Sequence, residues 1–239
     1  FLEVPKLSDE DLKSTKSEKY EDAPAEVLYR SVHFQIDYNG SLNKNVISRI
    51  KIYNKDNASD FLDHELSTYD DRNGNREILS GLKANTYNFE NGKVVATKVE
   101  KNEKFKSKED KNYDVTKFAF SNVKDGSVVE YSYSIMTPFL SSTPRVLIEL
   151  EIPSRYEEYD LDSPKPLGYT INYKGSLNPK HRVVEERTLY GNAYQTYRFG
   201  YENIPPYKEE KYVMNNDNYK TVIKAELNST MINNVFKSY

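Results

Sequence analysis

Two segments between Leu82 and Met136 each alternate apolar and polar residues on both sides of a turn dipeptide. In Ala84–Val95 the dipeptide is Asn-Gly, and in Phe118–Tyr133 it is Asp-Gly. These dipeptides favour two-residue hairpin turns, because they readily adopt the positive φ angles that such turns require. Each segment therefore predicts an antiparallel β-hairpin, and neither contains a constellation of reactive side chains.

Alternation with a period of two continues along most of the chain, beginning with Val32–Tyr38 and Val46–Ile52 on either side of an Asn-Gly turn. No long helical pattern separates the predicted strands, which argues against a βαβ layout. The sequence predicts an all-β protein whose antiparallel sheets pack as a sandwich. Further strands are predicted at Val129–Ile135, Val146–Ile152, Gly168–Lys174, Arg182–Tyr190, Ala193–Tyr201 and Tyr219–Leu227.

The amino-terminal region has a different pattern. Ser8 precedes the acidic residues of Asp9–Asp11, and a capping hydroxyl followed by carboxylates is typical of a helix start. We predict one short helix from about Asp9 to Ser17 and then a linker. Residues 1–24 are assigned to this helix and linker, and residues 25–229 to one β-domain, with two smaller β-units dividing near residue 150 as the alternative.

Charge and hydropathy exclude several classes of partner. The chain has 34 basic and 37 acidic residues and a net charge of -3, which argues against nucleic acid as a partner. Its densest basic stretch, Lys98–Lys111, interleaves six lysines with acidic residues, so much of the positive field is cancelled. We find no apolar run near the ~18 residues of a membrane span.

The residue types needed for most catalytic chemistry are missing or scattered. There is no cysteine, which removes disulfides, thiolate metal sites and thiol nucleophiles. His33, His64 and His181 lie on separate predicted elements, and no nucleotide-binding or hydrolase motif is present. We therefore predict no catalytic residue, no metal site and no cofactor.

Two acidic patterns are weak indications of a metal or catalytic site. The oxygen-rich stretch Asp70–Glu77 superficially resembles a calcium loop, but its glycine is misplaced for one, so turn chemistry is the preferred interpretation. The adjacent carboxylates in Glu157–Glu158, Glu185–Glu186 and Glu209–Glu210 could supply an acid and a base across a cleft. We interpret them instead as solvated strand ends.

Aromatic residues mark the carboxyl-terminal part of the chain. The chain has 21 tyrosines and no tryptophan, and Tyr201–Tyr212 also contains two prolines that exclude it from a central strand. Tyr207, Tyr212 and Tyr219 place amphipathic rings near that end. We predict that this segment packs back against the fold, presents an interaction surface, or does both.

Taken in order, these segments are similar to one known family, the uncharacterised bacterial domain found amino-terminal to transglutaminase-like domains. The similarity runs from about Ala25 to Ser229. In that family the domain is an immunoglobulin-like β-sandwich, commonly in exported or cell-envelope proteins. Besides the two hairpin segments, the similarity rests on Ile152-Pro153, Tyr156–Tyr159, Asn203–Glu210, Asn218-Tyr219 and Glu226-Leu227.

The resemblance implies a non-catalytic accessory module that docks on a downstream transglutaminase-like domain of the same polypeptide. Residues 230–239 would then begin a linker, and the protein would be exported to the periplasm or cell envelope. The neighbour's Cys-His-Asp chemistry does not transfer, because this chain has no cysteine. An envelope protein or glycan is a further expected partner. A glycan-binding sandwich that uses tyrosine platforms is the alternative, and a hydrolase with clustered carboxylates is the least favoured hypothesis.

Overall fold

The computed structural model describes residues 4–108, 110–208, 220–232 and 235–238, and its regular structure is nearly all strand. Among these residues, one α-helix, α1, spans Asp9–Lys13, and two short 3-10 turns span Asp56–Phe61 and Lys101–Glu103. In chain order the strands are β1 (Ala25–Ile36), β2 (Leu42–Ile52), β3 (Asp63–Tyr69), β4 (Ile78–Glu90), β5 (Lys93–Lys98), β6 (Lys104–Lys108), β7 (Tyr113–Ala119), β8 (Val128–Thr137), β9 (Val146–Leu147), β10 (Ser154–Pro164), β11 (Leu167–Lys174), β12 (His181–Leu189), β13 (Asn192–Ile204), β14 (Val222–Ile232) and β15 (Val235–Ser238).

The strands form three sheets. The largest has eight strands in the order β12-β13-β10-β1-β2-β8-β4-β5. A second sheet has the order β11-β14-β15 with β9 also paired to β14, and a third has the order β3-β7-β6. The nearly all-β fold with several antiparallel sheets confirms the predicted fold class at that level.

One pairing differs from the antiparallel prediction. β1 pairs antiparallel with β2, but it pairs parallel with β10, with Val32 opposite Tyr159. A parallel pair needs a long crossover, and here residues 37–153, which include β2 to β9, connect the two strands. Periodicity within a strand indicates which residues share a face but not the direction of its neighbour.

The Asn-Gly hairpin prediction is confirmed. β4 and β5 pair antiparallel around Asn91 and Gly92, whose φ angles are 50° and 75°. The Asp-Gly hairpin prediction is wrong, because β7 pairs with β3 and β6 whereas β8 pairs with β2 and β4. The connection between β7 and β8 buries Phe120 and Val123 in the core, so it crosses between sheets.

The predicted helix is present but shorter, since it ends at Lys13. Ser8 Oγ accepts a hydrogen bond from the Asp11 backbone N at 3.0 Å, and the Asp11 carboxylate accepts one from the Ser8 N at 3.2 Å. These reciprocal bonds form a capping box. Ser14 is extended, so the helix stops there. No helix among the described residues has the length and apolarity needed to cross a membrane.

Both small sheets pack on the same face of the large sheet, which we call the inner face. One apolar cluster lies under the β9/β11/β14 sheet and includes Phe34, Tyr159 and Ile223. The other lies under β3 and β7 and includes Ile50 and Phe118. The clusters share one face because β1 carries one extra residue, Leu28, between its Val27 and Tyr29 pairs with β2, and such a bulge shifts the alternation by one position.

The opposite, outer face of the large sheet carries polar side chains and is crossed by residues 4–24, which we call the N-terminal strap. Within the strap, Leu12 packs against Leu28 and Val128, with Leu7 and Tyr87 beside them. At the other end of the chain, the described residues of 230–239, predicted as the start of a linker, complete β14 and form β15.

Candidate functional site

Tyr207 lies in an open groove at one end of the large sheet. Its backbone N donates a hydrogen bond to the Leu150 carbonyl at 2.7 Å, and the Lys220 Nζ lies 5.1 Å from the centre of its half-buried ring. The groove has a volume of about 650 Å³ and is also lined by Pro24 and Pro153. The segment thus packs back on the fold and lines an open surface, while Tyr212 and Tyr219 lie outside the described residues.

Exposed tyrosines elsewhere do not gather on one strand or turn. Tyr113 and Tyr173 belong to the two small sheets, whereas Tyr38 and Tyr190 lie near turns of the large sheet. Other rings, such as that of Tyr159, are buried in the core and serve packing. Some rings do come together across strands, as in the pairs Tyr38–Tyr194 and Tyr69–Tyr113, each with centroids 5.5 Å apart. The tyrosine platform for glycans stays a prediction.

A more concentrated group of functional side chains lies on the outer face of β10. Glu158, Asp160 and Asp162 occupy alternate positions of this strand, so their side chains point to the same side of the sheet. They are only 3%, 6% and 7% exposed. We call these three residues the carboxylate row. Carboxylates this buried require ionic or hydrogen-bonded partners, because desolvation of an unpaired charge is costly.

Neighbouring strands supply those partners. Arg198 Nε on β13 donates to Asp160 Oδ1 at 2.9 Å, and the Tyr156 hydroxyl donates to Glu158 Oε2 at 2.8 Å. His33 Nε2 on β1 lies 2.8 Å from Asp162 Oδ2. Each partner reaches the carboxylate row from the same strand or from a strand directly beside β10.

The carboxylates of the row differ in protonation. Burial raises the pKa of Asp160 to about 8, and its hydrogen bond and repulsion with Glu158 act in the same direction. Burial also acts to raise the pKa of Asp162, but hydrogen bonds from His33 and Thr196 outweigh it and lower that pKa. Burial and Glu158 therefore favour the protonated form of Asp160, whereas His33 and Thr196 favour the ionised form of Asp162.

A small cavity opens beside the row. It has a volume of about 160 Å³, and Val4 of the N-terminal strap lines it together with Asp160, His33 and Ser31. A protonated acid next to a carboxylate can exchange protons with a bound group. The cavity admits only a few water-sized molecules at this volume. Among the described residues, no three or more histidine or carboxylate side chains are arranged so that they could hold one metal ion.

The interpretation of Glu157–Glu158 as a solvated strand end is wrong. β10 lies between β1 and β13, so both of its edges are paired, and Glu157 and Glu158 are only 1% and 3% exposed. Glu157 points to the inner face, where its carboxylate accepts from Arg30 Nε at 2.9 Å and from Ser154 Oγ at 2.7 Å. The two neighbouring glutamates therefore lie on opposite faces of the sheet rather than across a cleft.

The other acidic segments behave largely as predicted. Glu185 and Glu186 are exposed on the edge strand β12, while Glu209 and Glu210 lie outside the described residues. In the Asp70–Glu77 stretch, the Asp71 carboxylate accepts from the backbone N of Asn73 at 2.8 Å and of Asn75 at 3.0 Å. Both bonds go to Asp71 Oδ1, which is the hydrogen-bond pattern of an Asx turn and agrees with the turn interpretation.

The three histidines lie in separate places. His33 belongs to the carboxylate row's surroundings, and His181 on β12 pairs with Glu202 at 2.7 Å. His64 packs between Phe118 and Tyr131, with ring centroids 5.2 and 4.5 Å away. Burial lowers the pKa of His64, although a hydrogen bond to a backbone carbonyl partly opposes this.

Sequence reasoning missed the carboxylate row, although a signal for it was present. Acidic residues at 158, 160 and 162 follow the two-residue period of a strand, and this period predicts one acidic face. The sequence does not indicate that Arg198 and His33 come from strands on either side, because these pairings join residues more than 35 positions apart.

Comparison with solved structures shows the fold in a longer protein. A crystal structure from Parabacteroides distasonis ATCC 8503, described as a "putative protease", is 13% identical and superposes with a TM-score of 0.70. The match covers 86% of this chain but only 41% of that one, so this chain spans well under half the length of its structural relative. At this identity the likeness shows the fold alone.

A second solved structure, described as a "putative nutrient binding protein" from Legionella pneumophila, has a TM-score of 0.36 at 10% identity, covering 84% of this chain and 67% of that one. This similarity is too low to support an argument. No curated protein matches the sequence. The model of DUF3857, a domain of unknown function with a solved structure, matches residues 38–208. Because this match covers more than half of the sequence, the chain belongs to the DUF3857 family.

Proposed function

We propose that this DUF3857 domain is a non-catalytic accessory module of a larger exported protein, and that it docks on a transglutaminase-like domain of the same polypeptide. The observation that carries the proposal is the unequal coverage of the Parabacteroides match, 86% of this chain against 41% of the longer one. The same fold thus occurs as part of a larger chain. The transglutaminase-like neighbour and the envelope location rest on the family resemblance of the sequence.

The Tyr207 groove is the docking surface that we favour. It combines an aromatic ring with Pro24, Pro153 and Pro206, and charged groups such as Glu151 lie at its edge. Rigid aromatic and proline surfaces lose little conformational entropy on binding, and aromatic residues are enriched at energetic centres of interfaces. A non-catalytic role is supported by the protein partners that the three carboxylates of the row already have.

An immunoglobulin-like sandwich is part of the same proposal. Its support is the packing of the large sheet against smaller sheets over shared apolar clusters, which is the layer arrangement of such folds. The structure of a relative that carries a transglutaminase-like domain would test the immunoglobulin-like assignment. An immunoglobulin-like core should have the same neighbouring strands in both proteins.

Two measurements test the function. The first is the intact mass of the natural gene product in cell fractions, detected with an antibody to this domain. A product much heavier than 27.8 kDa in the envelope fraction is expected. A cytoplasmic product of about this mass would contradict the accessory role.

The second measurement is binding of the isolated domain to the remaining part of the natural product. We expect Tyr207→Ala to weaken binding about tenfold or more, as at an interface centre. Tyr190→Ala is the matched control, because this ring is 77% exposed at a distant turn. Equal effects of the two substitutions would argue against the Tyr207 groove.

A further inference from the structure

The N-terminal strap follows the outer face of β2 from the carboxylate row to the end of the sheet. Val4 lines the cavity beside Asp160 and Ile47. Further along, the Pro5 carbonyl accepts a hydrogen bond from Arg49 Nη1 at 2.6 Å, and the Leu12 carbonyl accepts one from Lys51 Nζ at 2.9 Å. The strap thus contacts successive outward positions of one strand.

Most of the contacts that hold the strap are polar. Arg155 Nη1 donates to Asp11 Oδ1 at 2.6 Å, and the same guanidinium reaches Glu26 at 3.2 Å. Ser17 Oγ donates to Glu26 Oε1 at 2.8 Å. Lys51 is fully buried below the strap, where it also donates to the Gly126 carbonyl at 2.7 Å.

Apolar anchorage of the strap is small. Among the described strap residues, Leu12 is the buried apolar side chain of α1, and Leu7 packs beside it. A helix of five residues is too short to be stable by itself in water. The inner face is covered instead by two whole sheets that bury large aromatic and aliphatic side chains.

From this contrast we propose that the N-terminal strap is a displaceable cover that controls access to the carboxylate row. The strap detaches while the three sheets stay folded, because its polar contacts can be exchanged for water with little loss of buried apolar area. Detachment removes Val4 from the cavity and opens the outer face beside Asp160. Residues 19–24 of the strap also line the Tyr207 groove, so this proposal is tested by labelling of the protein alone, with no docking partner present.

The absence of cysteine allows a direct test by thiol labelling of the full chain. Ser31→Cys places a single thiol in the cavity under the strap, at a site that is 8% exposed. Ser48→Cys places one on the inner face, where the serine is 2% exposed. The labelling rate of each protein with a maleimide reports how often that face opens.

Leu12→Ala removes the main apolar anchor of the strap. Added to Ser31→Cys, it should accelerate labelling by about tenfold or more, corresponding to the loss of one buried anchor. Added to Ser48→Cys, it should change the labelling rate by less than about twofold. Equal acceleration on both faces would overturn the proposal, because the strap would then open only with the whole domain. No acceleration on the outer face would also overturn it.

Asp11→Asn provides a second variant in case Leu12→Ala destabilises folding. Asparagine keeps a capping oxygen for α1 and removes the charge that pairs with Arg155. We expect labelling of the Ser31→Cys protein to accelerate by about threefold to tenfold, with labelling of the Ser48→Cys protein unchanged.

Lys117→Met is the matched control for Asp11→Asn, since it removes an exposed ion pair with Glu65 on a different sheet. Labelling of the Ser31→Cys protein should not respond to it. An acceleration equal to that caused by Asp11→Asn would contradict control by the strap.

Discussion

The two faces of the large sheet are both covered, but by different chemistry. The inner face is sealed by two sheets over apolar clusters. The outer face carries charged and polar groups: the N-terminal strap accepts hydrogen bonds from Arg49 and Lys51, and its Val4 lines the cavity beside the carboxylate row. A residue can therefore be equally buried on either face while its environment responds differently to salt, pH and truncation.

Shortening a buried side chain on the inner face should cause the largest loss of stability. Leu161 is fully buried in the cluster under the second sheet, so Leu161→Ala should lower the free energy of unfolding by about 2 to 5 kcal/mol. Denaturant unfolding measures this value. If Leu161→Ala lowers the free energy of unfolding no more than Leu12→Ala on the outer face does, the proposed difference between the faces is wrong.

The outer face should become less stable as pH rises. The pKa of Asp160 is about 8 in the folded protein, against an ordinary value of 3.8, so the folded state holds an extra proton between these values. The stabilisation of the folded state by this proton is fully present at low pH, and it is lost as pH rises through about 8. Asp160→Asn should abolish this slope, with a change of about 1 to 3 kcal/mol across the window. Urea unfolding from pH 5 to 9 measures it, and parallel profiles for the two proteins would argue against a protonated Asp160.

The ion pair that holds the strap should be sensitive to salt. Arg155→Met removes the partner of Asp11 and of Glu26, and it should cost about 1 to 2 kcal/mol because both pairs are partly solvated. The loss should shrink between about 0.05 and 1 M salt, since screening weakens the pair in the unmodified protein. A loss that does not vary with salt would indicate a packing role for Arg155.

The inner face should respond to pH in the opposite sense and more weakly. Burial lowers the pKa of His64 below its ordinary value of 6.5, so the unfolded chain binds a proton first as pH falls. Stability therefore decreases as pH falls below about 6.5. Unfolding of His64→Phe, which keeps an aromatic ring beside Phe118, should lack this loss. If the variant loses the same stability at low pH as the unmodified protein, the loss belongs to other titrating groups.

The sequence predicts local features of the fold better than long-range ones. Strand periodicity, the Asn91-Gly92 turn and the Ser8 cap depend on neighbouring residues, and all are present. The parallel pairing of β1 with β10 and the failed Asp125-Gly126 hairpin depend on which sheet a strand joins. Local turn chemistry is compatible with either choice, so the packing of distant apolar faces decides it.

The candidate sites show the same difference between local and long-range features. The proline and aromatic character of the Tyr207 segment is visible in its own residues. The carboxylate row is visible only as an acidic strand face, and its surroundings come from Val4 of the N-terminal strap and from strands in both halves of the chain. The two-residue period of the sequence therefore identifies the polar face of β10. It does not indicate which residues close the cavity above that face.

The parallel β1 and β10 pair also has a consequence for synthesis. Arg30 and its partner Glu157 are 127 positions apart, so at about 5 to 20 residues per second β10 follows β1 from the ribosome by roughly 6 to 25 s. During that interval β1, which becomes a central strand, has one unpaired edge. We expect the nascent chain to be most prone to aggregation in this period, before its first strand is complete on both sides.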